Sequence, residues 1–463
     1  MLLLKRANEL LEQGKLREAE FMFKAVLKEN NKIGPALFGL GRICMRLEDY
    51  DSAIYYLKRA CEHLPKMLEP LFALADAFMA VGSSVDAKTV LEYTLSVARH
   101  NAQAHYQLGL FYLDHGFIKN AERTFEAGLE CPTSAVTAFM LHELSQISPP
   151  NKLEAHIEQL HTLLTEFDNK RLKIVVYYSL AKCNHRLKDH QQAFDYYKLA
   201  NELQLSLCEF KTADMRPFFD MLKEQCSEDF FNQPNDKVKA TFTPTFIVGL
   251  PRTGSTLLEQ MLVQHSKIGS MGESTVISDK IVPYLQMRNE APFPQCLQTL
   301  TTSMLDHCRN LYVDEIKKHR VGEEVVINKL PANFQNIGLI QKIFPDARII
   351  HLTRNFNANA WSIYSNHFAE NEPYFCSLTE YKQYADFQEE MMTHFKHYLP
   401  RNIYTLSYED LLDETPRELN KLLNFLYQKF EPECLEFYKS KRPVSTLSKA
   451  QVRKPLDQGP RSN

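Results

Sequence analysis

Four alanines, Ala19, Ala53, Ala87 and Ala121, recur at a spacing of 34 residues. Phe23, Leu57, Leu91 and Phe125 follow four positions later each time, and Val26, Ala60, Thr94 and Gly128 continue the same face. Gly14, Glu48, Gly82 and Gly116 stand at the turn before each of these segments. Residues three and four apart share one side of a helix. A small residue where two helices cross, then a large one to fill the gap, repeated at fixed period, requires stacked helix pairs, each covering its neighbour's apolar face. Ala155 keeps the spacing downstream of Pro149 and Pro150, and Ala193, Tyr197 and Ala200 form one more copy. Residues 1–205 therefore read as an all-α, right-handed solenoid of about five to six helix pairs.

The 34-residue period and its residue classes resemble tetratricopeptide repeats. The resemblance implies a concave face that can hold a peptide. The same helices equally serve as a scaffold or a dimer surface, and a homodimer stays open. Tyr55, Tyr56, Tyr106 and Tyr112 read as core or ordinary face residues. Residues 206–240 read as a helical linker with a polar end at Asn232–Asp236, and a second domain is expected over 241–463.

That domain opens with Thr245-Phe-Ile-Val-Gly249, a short apolar run that predicts a buried strand. Leu257, Leu258, Met261 and Leu262 then fall at helical spacing. Between them lies Gly249-Leu-Pro-Arg252-Thr253-Gly254-Ser255-Thr256. Glycines at both ends of a strand-to-helix turn let backbone N–H groups converge on an anion, at the positive end of the new helix. A nucleotide triphosphatase carries Lys at the position of Ser255. Here the cation comes earlier, at Arg252, which disfavours a kinase or triphosphatase.

Further along, Val325–Ile327 predicts a strand that ends in Asn328-Lys329, and Arg348–Leu352 one that ends in Thr353-Arg354, with a helix between them. Ligands of open α/β sheets lie at the carboxyl ends of the strands. Three cation-bearing loops at one edge suit a ligand with two separated anionic groups. Asn402–Ser407 predicts a further strand running into Tyr408-Glu-Asp-Leu-Leu, with Glu409 and Asp410 as helix caps. Met271-Gly-Glu273-Ser-Thr275 is expected to open a helix, and by position Glu273 is a first-turn carboxylate.

Pro251–Thr256 resembles the loop with which sulfotransferases hold the 5′-phosphosulfate of 3′-phosphoadenosine 5′-phosphosulfate (PAPS). The catalytic half is similar to protein-tyrosine sulfotransferases, and the whole chain to sulfotransferases joined to tetratricopeptide repeats. The resemblance implies an all-α repeat solenoid followed by a P-loop-like α/β domain with a parallel sheet. Its activity would be PAPS-dependent sulfuryl transfer to an acceptor hydroxyl, of a protein tyrosine or a carbohydrate. It implies Glu273 as the base and Lys329 and Ser448 as groups offsetting charge. Arg252, Thr253, Gly254, Ser255 and Thr256 would hold the phosphosulfate, and Arg354 with Ser362 the 3′-phosphate. Tyr408, Arg453 and Lys454 would lie beside the nucleotide. The family's usual R-D-P is here Arg354-Asn355-Phe356. The alternative is an inactive repeat scaffold for protein–protein interaction.

Composition sets the outer limits. A net charge of −3 implies no general attraction to nucleic acid or to an anionic membrane surface. Ten cysteines occur without a C-x-x-C pair, which argues against a zinc site or disulfide framework and fits a reducing compartment. No apolar run predicts a signal peptide or membrane span. The expectation is a cytoplasmic enzyme that needs no metal.

Overall fold

The structure, a computed structural model, describes residues 2–233, 240–319, 321–368 and 371–439. The chain divides into two compact units, Met1–Pro149 and Pro150–Asn463.

In the first unit the helices Leu2–Glu12, Leu16–Glu29, Gly34–Arg46, Tyr50–His63, Glu69–Ala80, Ser84–Val97, Ala102–Asp114 and Ile118–Leu129 pair in order, and Ala135–Ile147 follows. Ala19, Ala53, Ala87 and Ala121 are each wholly buried. Phe23, Leu57, Leu91 and Phe125 fill the core beside them. The turn residues are left-handed, with φ of 74° at Gly14, 57° at Glu48, 75° at Gly82 and 80° at Gly116. Glu48 accepts a conformation that glycine takes without steric cost.

The second unit begins with repeat-like helices and ends with the sheet. Helices Lys170–Arg186 and His190–Leu205 form the last pair, with Ala193, Tyr197 and Ala200 buried between them. The Tyr178 hydroxyl donates to Asn201 Oδ1 inside the pair at 2.9 Å. The pair is continuous with the α/β part: Asn201 Nδ2 donates to the Tyr364 carbonyl at 2.9 Å and Gln204 Nε2 to that of Phe368 at 2.9 Å. By compactness the chain divides at Pro149–Pro150, so the last repeat pair belongs to the same unit as the sheet. Residues 206–233 also pack into this unit. Helix Arg216–Gln225 places Phe219 and Leu222 in the main core, and Arg216 and Lys223 both pair with Glu390.

Five parallel strands form the sheet: β1 (Thr243–Gly249), β2 (Ile268–Ser270), β3 (Val325–Lys329), β4 (Arg348–Thr353) and β5 (Ile403–Ser407), in the order β2-β3-β1-β4-β5. Alternation along β1 sends Phe246 and Val248 to one face, and Ile247 to the other. The first face packs on helices Thr302–Lys318, Ile337–Ile343 and Leu378–Tyr398, the second on Ser255–Leu262 and Thr415–Phe425. Each Leu or Ile so buried contributes about 1.5–3 kcal/mol. The strands on either side of the Ile337–Ile343 crossover are not neighbours, because β1 lies between β3 and β4.

Burial in β4 has a titration consequence. His351 is 5% exposed, its Nε2 lies 2.8 Å from Gln388 Nε2, and burial, aided by Lys396, lowers its pKa to about 3. The unfolded chain therefore binds this proton below about pH 6.5 while the folded chain does not, and stability falls with pH by about 1.4 kcal/mol per unit in that window. His351→Asn is expected to lose less stability than the parent between pH 7 and 5, by about 2 kcal/mol, in urea unfolding. Equal losses in the two proteins would refute this account of His351.

Candidate active site

The chain leaves β1 on one side to build β2 and β3, then returns to the other to build β4 and β5. The carboxyl end of β1, where these connections diverge, is the natural ligand crevice of such a sheet. The loop after Gly249 lies there, Lys329 ends β3 and Arg354 directly follows β4, the two strands that flank β1.

The loop is held from below and beside. Asn359, 1% exposed, donates to the Pro251 carbonyl at 2.9 Å and accepts from the Tyr381 hydroxyl. Thr253 Oγ1 donates to the Leu250 carbonyl at 2.8 Å. Arg252 has φ of 66°, an uncommon conformation for a residue with a Cβ. Gly254 has φ of 91°, and a Cβ there would lie 2.3 Å from the Tyr408 ring. Only glycine fits. The helix Ser255–Leu262 starts at once, so its unsatisfied N–H groups stand at the loop. All eight of its residues are buried.

Beside the loop, two carboxylates share one ammonium. Lys329, 1% exposed, donates to Glu273, and its Nζ lies 3.7 Å from Glu259 Oε2. Glu259 also accepts from Ser270 Oγ at 2.6 Å. Half of the Glu273 side chain is open to solvent, whereas Glu259 is buried. Glu273 therefore offers a reachable carboxylate whose position is set by a buried cation.

The Glu273 segment is not a helix start. It is the loop after β2, a strand too short to show a pattern in the sequence, and the next helical turn begins at Ile277. The loop is tied to β3: Lys329 N–H donates to the Gly272 carbonyl at 2.8 Å, and Asn328 Nδ2 to that of Ser274 at 3.1 Å. Ser274 Oγ lies 3.3 Å from Glu315 Oε1, and Lys280 Nζ lies 2.7 Å from Glu315 Oε2. His319 and Lys280 together hold the Glu315 carboxyl down to about 2. Glu259 and Glu315 carry no signal in the sequence, because carboxylates inside helices have no local signature, and Asn328 shows there only as the end of a strand.

On the other side of β1 the cations gather. Arg252 Nε donates to Ser362 Oγ at 3.1 Å, and Arg354 donates to the Arg252 carbonyl at 2.9 Å. The Arg354 guanidinium lies over the Tyr408 ring, 4.7 Å from its centroid. Burial, with Arg354 alongside, lowers the Arg252 pKa to about 10. Arg354 Nε is buried with no hydrogen-bond partner among the described residues. Two guanidiniums crowded together fit an anion. The cap of the helix after β5 is Ser407, which accepts from Asp410 N–H at 3.2 Å, rather than Glu409 or Asp410. Glu409 instead accepts from Asn355 N–H at 3.0 Å and so joins β5 to the turn after β4.

The structure thus brings Arg252, Thr253, Gly254, Ser255, Thr256, Glu273, Lys329, Arg354, Ser362 and Tyr408 to one edge of the sheet. Ser448, Arg453 and Lys454 lie outside the described residues. Among the described residues no group of three or more His, Cys, Asp or Glu could hold a metal ion, and no helix is long and apolar enough to cross a membrane.

Residues 244–432 match the sulfotransferase family, and residues 4–66 and 174–206 match tetratricopeptide repeats. The chain is 29% identical over 310 residues to an uncharacterized protein of Aquifex aeolicus, covering 65% of this chain and 41% of that protein. It is 30% identical over 124 residues to protein-tyrosine sulfotransferase 1 of Danio rerio, covering 26% of this chain and 35% of that one. The chain thus spans less than half the length of either relative. The solved sulfotransferase domain of the Synechococcus PCC 7002 olefin synthase is 19% identical, with a TM-score of 0.37, covering 48% of this chain and 87% of that one. Residues 244–432 are a sulfotransferase-family domain, carried on one chain with tetratricopeptide repeats.

Proposed function

We propose that the protein transfers a sulfuryl group from PAPS to an acceptor hydroxyl. The observation that carries this is the glycine-built anion loop after β1, flanked by the Lys329–Glu273 pair on one side and the Arg252–Arg354 cluster on the other. PAPS, when bound, supplies an activated sulfuryl group on a phosphate leaving group. The amides of Gly254, Ser255 and Thr256 hold the phosphosulfate end, and Arg354 and Ser362 the 3′-phosphate. Tyr408 stands beside the nucleotide. Glu273 takes the proton of the acceptor hydroxyl as it attacks. Lys329 sets the position of that carboxylate and offsets negative charge at the reacting centre. As with phosphoryl transfer, positioning and electrostatics supply most of the rate. The tail residues Ser448, Arg453 and Lys454 belong to the same proposed site by resemblance.

The likeness to protein-tyrosine sulfotransferase 1 favours a protein tyrosine as acceptor, presented as a peptide, with the repeats as its docking surface. A carbohydrate hydroxyl is the control acceptor. In calorimetric titration, 3′-phosphoadenosine 5′-phosphate is expected to bind in the micromolar range and ATP not to bind. Failure of both to bind would refute the reading in favour of an inactive scaffold.

A further inference from the structure

The last repeat pair does more than pack against the α/β domain. Lys182, from helix Lys170–Arg186, reaches the end of helix Phe356–Tyr364, where its Nζ donates to Asn366 Oδ1 at 3.0 Å. Asn366 Nδ2 in turn donates to the Ser362 carbonyl at 2.8 Å, and Ser362 Oγ accepts from Arg252 Nε at 3.1 Å. Arg354 joins the same group through the Arg252 carbonyl, at 2.9 Å. Three cations from three elements, a repeat helix, the loop after β1 and the end of β4, are therefore joined in one hydrogen-bonded chain that runs through Asn366, Ser362 and the Arg252 carbonyl. Among the described residues no carboxylate pairs with Lys182. A buried ammonium beside other cations costs free energy unless an anion joins it. Burial, then the nearby Arg252, lowers the Lys182 pKa to about 8, as expected of an ammonium held where no anion offsets it.

We infer that Lys182 is a third cation for the terminal phosphate monoester of the donor nucleotide, so that the last tetratricopeptide repeat forms part of the donor site. The inference rests on the proposed use of PAPS and adds a residue from the repeat half of the chain to the site. A phosphate monoester carries close to two negative charges and several acceptor oxygens at neutral pH, which suits three converging donors. The two relevant functions of the chain would then be joined in one binding site: ordering the last repeat orders the nucleotide pocket.

The experiment is calorimetric titration of the full chain with 3′-phosphoadenosine 5′-phosphate and, separately, with adenosine 5′-monophosphate, which lacks the 3′-phosphate. Lys182→Met is expected to weaken the bisphosphate about tenfold or more and the monophosphate by less than about twofold, with Lys182→Arg recovering most of the loss. The parent protein gives a second readout that needs no substitution. Its bisphosphate affinity should fall by up to about tenfold per unit as pH rises above about 8, while monophosphate affinity stays level. Arg252, with its pKa at about 10, keeps its charge through most of this range, and His185, on the same helix, is shifted down and stays neutral. Equal losses for both nucleotides in Lys182→Met, no loss for either, or a flat pH profile would overturn the assignment of Lys182 while leaving PAPS as donor. Absence of bisphosphate binding by the parent protein would overturn both.

Discussion

Glu273→Gln is expected to lower sulfuryl transfer by about 10²–10⁴-fold while bisphosphate affinity changes by less than about twofold. Glutamine keeps the shape of the side chain and can still accept from the Lys329 ammonium, so the loop after β2 should keep its place. What it loses is a group that can take a proton from the acceptor. The carboxylate is half open to solvent, beside a phosphate-type loop, and among the described residues no other exposed carboxylate shares Lys329. The loss should fall on kcat rather than KM, and single-turnover kinetics with saturating donor measures it directly. Turnover equal to that of the parent protein would remove Glu273 from the mechanism.

Lys329→Met is expected to cut turnover by about 10²–10³-fold and also to destabilise the fold by about 3–5 kcal/mol. The two effects have separate causes. Lys329 is 1% exposed, and without it Glu259 is left as a buried carboxylate with Ser270 as its remaining partner among the described residues. That accounts for the stability. The turnover falls because the cation that orients Glu273 and faces the reacting centre is gone. Adding Glu259→Gln should recover most of the stability in urea unfolding, because the stranded buried charge is removed, but none of the turnover. Recovery of turnover along with stability would mean that Lys329 acts only by holding the fold together.

The parts of this architecture legible from the sequence were those where local geometry admits few residue types. The buried alanines from Ala19 to Ala121 and the left-handed turns before them declare stacked helices, because helix crossings need a small residue at fixed period. The anion loop declares itself through Gly249 and Gly254, where side chains would strike the Leu352 carbonyl and the Tyr408 ring. Lys329 and Arg354 could be placed because strand ends are visible as apolar runs that stop. The rest depended on contacts distant in sequence. β2 has only three residues and shows no periodicity. Glu259 looks like any helix carboxylate until Ser270 and Lys329 are brought to it. The role of Lys182 rests on an amide 184 residues away.

The order of the strands fixes directions of approach. Neighbouring strands lie about 4.8 Å apart, so their ends form a graduated row along the crevice. Glu273 and Lys329 follow β2 and β3 at one end of the row, whereas Arg354 and Tyr408 follow β4 and β5 at the other. The last repeat pair adjoins that second end, through Tyr364, Asn366 and Phe368. On the proposed reading, the donor lies lengthwise with its phosphate monoester toward the repeat, and the acceptor must enter past β2, the three-residue margin of the sheet. The segment between β2 and β3 then lies beside the entering hydroxyl, so exchanging it between relatives should change which hydroxyl is accepted there, without changing the donor or the docking of the peptide on the repeats.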